Sequence, residues 1–305
     1  MSGPLDGEAT GGDVPEPPVV EVTEARTAVV GAVTVRRALP RRGRRTVGAW
    51  CFADHLGPAG VDGPDIGPHP HTGLQTVTWL LEGAALHRDS LGSEQVVRPG
   101  QLNLMTAGNG VAHAEESTGD GGGRLHGVQL WVAQPEATRH GGAAFEHHAE
   151  LPSVEVRGGV ATVLVGSLLG AESPARHDTP LLGADLRLDG GISEWPLEAA
   201  YEHALLVLDG AVGVDGRGVE PGSLAYLGAG RTELALDAVG PARVLLLGGE
   251  PFESSVVMWW NFVGRSRDEV TEAWRSWQAA DDRFGRVDSR LQRIPVGPPP
   301  WAPAG

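Results

Sequence analysis

Two stretches of this chain follow one order of elements: strand, tight turn, strand, Pro-Gly, strand. QTVTWLLEG (75–83) is answered by YEHALLVLDG (201–210), and Arg98-Pro99-Gly100-Gln101-Leu102 by Glu220-Pro221-Gly222-Ser223-Leu224. β-Branched and aromatic residues ended by glycine are a strand signature, and Pro-Gly marks a turn. A grammar that occurs twice predicts two β-barrels of similar design, arranged in tandem. The 45 glycines and 23 prolines among 305 residues fit many short strands better than long helices. Strand-like runs over 19–23, 28–35, 74–81, 84–89, 102–106 and 126–133 make the first half all-β. The polar stretch 134–144 is the expected connection. The expected organisation is a disordered tail over 1–18, a first barrel over 19–138, a second barrel with a packing helix over 139–290, and a Pro-rich tail over 291–305. The helix is announced by Ser266 with Glu269 three residues on, a capping box. Val270, Ala273, Trp274 and Trp277 follow at helical spacing.

Charge narrows the partners. A formal net charge of −15 repels phosphate backbones and anionic membranes, which argues against direct nucleic-acid binding. No apolar run is long enough to span a bilayer. The basic run RRGRR (41–45), with Arg36 and Arg37 before it, reads as a solvated loop. Cys51 is the only cysteine, so no internal disulfide forms, and the expected location is the cytoplasm.

Nine of the eleven histidines lie between His55 and His148. His69 and His71 are two apart, so on a strand both imidazoles point the same way. His113 and Glu115 repeat that spacing beside the flexible Gly108-Asn109-Gly110. On facing strands the two pairs would bring three imidazoles and a carboxylate around one ion. Imidazole suits iron, zinc, copper and nickel, and a carboxylate adds a hard donor. No thiolate takes part, which excludes a closed cysteine-rich zinc site. If the strand runs unbroken, Gln75, Val77 and Trp79 share the parity of His69 and His71. His55, His87, His126 and His140 have no partner at telling spacing, although His55 or His126 is a candidate support for the site.

At these residues the chain resembles the pirin family of the cupin superfamily. The first cupin motif, G-x5-H-x-H-x3-4-E-x6-G, is filled by Gly63, His69, His71, Gln75 and Gly83, with one extra residue before the last glycine. GPHPHTGLQTVTWLLEG (67–83), MTAGNGVAHAE (105–115), VGAWCFADHLGP (47–58) and MWWNFVGRSRDEV (258–270) all look like bacterial pirin-like proteins. Thr72, Leu74 and Gln75 depart from the usual arginine, phenylalanine and glutamate. The resemblance implies two cupin barrels, jelly-roll-like, with one divalent transition metal, foremost iron(II), in the first. Its ligands carry over onto His69, His71, His113 and Glu115. It further implies an enzyme resembling quercetin 2,3-dioxygenases, acting on a small aromatic molecule with dioxygen. Glu115 would accept a hydroxyl proton, and Val77, Trp79 and Met105 would line the pocket. The alternatives are a redox-dependent regulator of the kind linked to eukaryotic pirins, with 36–45 as the candidate surface for another protein, or a cupin enzyme of different specificity.

Overall fold

The computed structural model describes residues 19–302; the tail expected over 1–18 and residues 303–305 lie outside the described residues. Two β-sandwich barrels stand in tandem. The first packs a seven-stranded sheet on a four-stranded one. The larger sheet runs Ala144–His148, Leu102–Thr106, Leu74–Glu82, Leu125–Ala133, Trp50–Ala59, Val33–Leu39 and Arg26–Val30 in spatial order. The smaller runs Ile66–His71, Val111–Glu116, Ala85–Asp89 and Glu94–Val97. All neighbours are antiparallel, and Val33, Val35, Leu80, Ala85, Val97 and Leu125 from both sheets form one apolar layer between them.

The second barrel repeats the plan. Its larger sheet holds Ser223–Gly228, Glu202–Asp209, Ala242–Gly249, Leu181–Leu188 and Gly159–Leu168; its smaller one holds Gly191–Pro196, Glu233–Ala238, Val212–Val214 and Arg217–Val219. The echo between QTVTWLLEG and YEHALLVLDG is thus an echo of position: each segment is a central strand of its large sheet. Glu21–Glu24, although first in the chain, pairs with Ser223–Gly228 of the second barrel. Ala144–His148, which follows the expected connection, pairs with Leu102–Thr106 of the first. The second barrel therefore takes a strand that precedes the first in sequence, and the first extends past residue 138.

The run 28–35, expected as one strand, is a hairpin of Arg26–Val30 and Val33–Leu39. Gly31 makes the reversal at φ 55, where a Cβ would meet Pro64 O at 2.2 Å. The turn Val-Gly-Ala has no polar residue, so the apolar pattern runs straight through it.

The large sheets face each other across an apolar seam. Trp50, Val77, Trp79, Leu104 and Leu130 of the first barrel join Leu164, Leu181, Leu206, Leu245 and Leu247 of the second in one buried cluster. Both indoles at the seam have partners. Trp50 Nε1–H donates to Leu182 O and Gly248 O, and Trp79 Nε1–H donates to Asp185, which also binds Arg243. The helix is Arg267–Ala279, capped by Ser266, whose hydroxyl accepts from Glu269 N–H; the Glu269 carboxylate reaches back to Arg265 N–H. Trp277 packs beside Ala112, Phe262 and Phe284 on the first barrel. The described part of the Pro-rich tail has no regular element, yet it is pinned: Ile294 N–H donates to Pro68 O, and Trp277 Nε1–H to Ile294 O.

Candidate metal centre

The site grows from one antiparallel pair. Ile66–His71 lies against Val111–Glu116 in a register that sets His69 opposite His113 and His71 opposite Val111. The two strands are neighbours in one sheet, not partners facing across the barrel, and adjacency is what brings the imidazoles so close. The donor atoms of His69, His71 and His113 all lie within 4.8 Å of one another, and all three residues are buried. His71 Nε2 and His113 Nε2 are 3.0 Å apart. A bulge between His113 and Glu115 then shifts the register, so that Glu115 stands opposite Ile66. Glu115 lines the same cavity but lies outside the cluster formed by the three histidines.

Burial governs the electrostatics. It pushes His69 down to about 4, helped by the field of His87 and opposed by the Gly67 carbonyl. It holds His71 and His113 well below the ordinary range, with neighbouring histidines adding to the effect. The imidazoles are therefore neutral, which is the form that binds a metal. Burial pushes the Glu115 carboxyl up to about 7, so its proton is exchangeable near neutrality. A cation among the histidines would favour its ionised form. Three neutral imidazoles with donor atoms within 4.8 Å of one another, two of them 3.0 Å apart, fit one transition-metal ion, because metal–imidazole bonds run about 2.0–2.1 Å. His69 Nδ1 already donates to Gly67 O at 2.8 Å, which leaves its Nε2 lone pair free.

The cavity above the histidines has a volume of about 530 Å³, within the range of small-molecule sites. Phe52 and Trp131 form its floor, stacked at 3.9 Å and 12°, with Trp131 edge-on to His71. Arg37, held bidentate by Asp54, sits over Phe52. Met258, Trp259 and Trp260 come from the hairpin Val257–Trp259 and Phe262–Gly264, and Ile294 from the C-terminal tail.

Val77, Trp79 and Met105, expected to line this pocket, do not. The strand is not continuous: Thr72 and Gly73 interrupt it, with Gly73 at φ 67, and the chain resumes at Leu74 in the other sheet. Two intervening residues in place of one reverse the parity, so Leu74 follows His71 inward, and Gln75, Val77 and Trp79 turn to the seam. Gln75 accordingly donates to Thr106 Oγ1 and Arg176 O, away from the histidines. Met105 packs with Ala107 and Val111. His55 and His126 pair with each other at 2.9 Å through Nε2 and do not support the site. Of the basic run, Arg44 lies over Tyr226 and bonds Glu21, so part of that charge is satisfied within the chain.

His87, expected to have no partner, belongs here. Its Nδ1 is 3.3 Å from His113 Nδ1, and its Nε2 is 3.1 Å from Asp89 Oδ2. His87-x-Asp89 repeats the spacing of the other two pairs, and its strand buries every second residue. Burial opposes the charge of Asp89, but hydrogen bonds from His87 and Ser93 outweigh it and hold the carboxyl below its ordinary range.

The geometry has close counterparts. The pirin family model matches residues 32–132, and that of the pirin C-terminal cupin domain matches 184–285. A Pseudomonas aeruginosa protein named "Putative quercetin 2,3-dioxygenase" is 48% identical over 285 residues, covering 92% of this chain and 90% of the relative. A pirin-like protein of Caulobacter vibrioides is 38% identical, covering 88% and 96%. The crystal structure of a quercetin 2,3-dioxygenase from Acinetobacter baumannii superposes with a TM-score of 0.89 at 42% identity, covering 93% of this chain and 96% of that one. Two family models across the two barrels, and relatives spanning nearly the whole chain, establish that this protein is a member of the pirin family.

Proposed function

We propose that this protein is a metal-dependent dioxygenase that opens flavonols such as quercetin, with His69, His71 and His113 holding iron(II) and Glu115 serving as fourth donor at rest and proton acceptor in turnover. The observation that carries this reading is the three-histidine cluster on the wall of an aromatic-lined cavity of about 530 Å³. The names of the P. aeruginosa relative and the A. baumannii structure support the substrate class.

When bound, the ion supplies Lewis acidity that lowers the pKa of a coordinated hydroxyl and an open position for chemistry with dioxygen. The remaining work falls to the chain. Phe52 and Trp131 give the cavity an aromatic wall against which a polyphenol ring can pack. Glu115, with its carboxyl pushed up to about 7, takes the hydroxyl proton at neutral pH and can return it. Trp259 and Trp260 close the cavity from the hairpin side and limit water around the bound ring. Arg37 is fixed by Asp54 at the cavity wall, where its guanidinium is available to phenolic oxygens.

The test is oxygen consumption with quercetin by iron-loaded protein. Uptake is expected in the wild type and its loss in His69→Ala. No uptake by fully loaded wild-type protein overturns the assignment.

A further inference from the structure

Behind His113 runs a chain of hydrogen-bonding groups that ends in a carboxylate. His113 Nδ1 meets His87 Nδ1 at 3.3 Å, and His87 Nε2 meets Asp89 Oδ2 at 3.1 Å. The other oxygen of Asp89 accepts from the N–H groups of Leu91 and Ser93, each at 2.9 Å. The His87 ring is held flat against Phe145, with centroids 4.3 Å apart and planes 14° from parallel. His87, Asp89 and His113 are all buried.

We propose that Asp89 and His87 are positioning residues that fix the tautomer of His113, so that its Nε2 presents a lone pair to the ion; the inference rests on the reading of the three histidines as a metal site. With His87 neutral, the polarity of the chain has one solution. An ionised carboxylate only accepts, so His87 Nε2 carries the hydrogen. A neutral imidazole with its hydrogen on Nε2 accepts at Nδ1. His113 must then donate from Nδ1, which leaves its Nε2 bare. His69 reaches the same state through the Gly67 carbonyl. His71 has no such support: its Nδ1 is buried without a partner. In the metal-free protein His71 Nε2–H is therefore the donor in the 3.0 Å contact with His113. Two of the three imidazoles are preset for an ion, and the third moves its hydrogen when the ion arrives.

An isosteric change reverses the relay without removing it. In Asp89→Asn the backbone N–H groups of Leu91 and Ser93 keep the amide oxygen toward the turn, so the amide NH2 faces His87. His87 Nε2 then accepts, its Nδ1 donates, and His113 is driven to the tautomer with hydrogen on Nε2. His87→Phe keeps the stacking on Phe145 but cuts the relay, leaving His113 free to choose. Reversal should therefore do more harm than removal, and Asp89→Asn should have no further effect in the His87→Phe background.

Two-bond proton–nitrogen NMR of the metal-free protein reads the tautomer directly, and competition titration with cobalt(II) reads the consequence. The expected results are hydrogen on His113 Nδ1 in the wild type, hydrogen on Nε2 in Asp89→Asn, and a 10- to 100-fold fall in cobalt(II) affinity in that variant. His87→Phe should lose less, and the double variant should match it. Hydrogen on His113 Nε2 in the wild type overturns the proposal, as does wild-type affinity in Asp89→Asn or an equal loss in both backgrounds. If the wild type binds no cobalt(II), the metal reading fails, while the tautomer in the metal-free protein still decides the relay.

Discussion

At the scale of single residues, the proposed function separates groups that would hold an ion from a group that would take a proton. His69, His71 and His113 are neutral because they are buried, and their nitrogens converge. Glu115 shares the cavity but stands outside that cluster, with its carboxyl pushed up to about 7. The two roles predict different losses. His71→Ala should lower metal affinity by more than about 100-fold, since a buried ligand is gone. Glu115→Gln should keep affinity within about tenfold and still abolish oxygen uptake, because an amide cannot take the proton. Parallel metal titration and oxygen-electrode assays check this; equal losses of affinity would make Glu115 a ligand only.

At the scale of elements, the site depends on a break in a strand. Gly73 takes φ 67, and a Cβ there would meet Val263 O at 2.3 Å, so the reversal and the close approach of the hairpin both require glycine. Thr72 is bonded to that hairpin on both sides, through Asn261 O and Val263 N–H. Gly73→Ala should cost more than about 1 kcal/mol in urea unfolding and weaken metal binding by moving His71; a variant as stable as wild type would contradict this. The same break explains what the sequence did and did not reveal. His69, His71 and His113 were legible because period two holds within each short strand. Val77 and Trp79 were misplaced because one residue too many at Thr72-Gly73 inverts every side chain after it. Leu102–Thr106 and Leu125–Ala133 are legible as short strand-like runs set off by Pro and Gly turn residues. Trp259, Trp260 and Ile294 were not, since their place in the cavity depends on how the C-terminal segment wraps back, which no local pattern encodes. His87 is readable from its two-residue spacing to Asp89.

At the scale of the whole molecule, two barrels share one apolar seam and bury two histidine environments outside the metal site. Burial, as the largest cause, brings His55 down to about 3, where it faces His126 and Arg36, and His203 down to about 4 in the second barrel. In the unfolded chain both return to about 6.5. Above that value both states are neutral and nothing is lost. As pH falls below about 6.5 the unfolded chain takes up protons that the folded chain refuses, so stability declines toward the folded values near 4 and 3. From His203 alone the loss at pH 5 is about 2 kcal/mol. Urea midpoints at pH 7 and pH 5 should differ accordingly, and His203→Leu should narrow the gap; an unchanged gap would mean that His203 takes its proton without unfolding. Because Trp50 and Trp79 each donate hydrogen bonds across the seam, the two barrels should melt in one transition.

Three imidazoles on two adjacent strands are proposed to hold one ion. Equilibrium dialysis against a divalent transition metal, followed by elemental analysis, tests it most directly. One equivalent per chain is predicted for the wild type and none for the His69→Ala/His71→Ala/His113→Ala triple variant. A wild type that retains no metal, or a triple variant that retains a full equivalent, would contradict it.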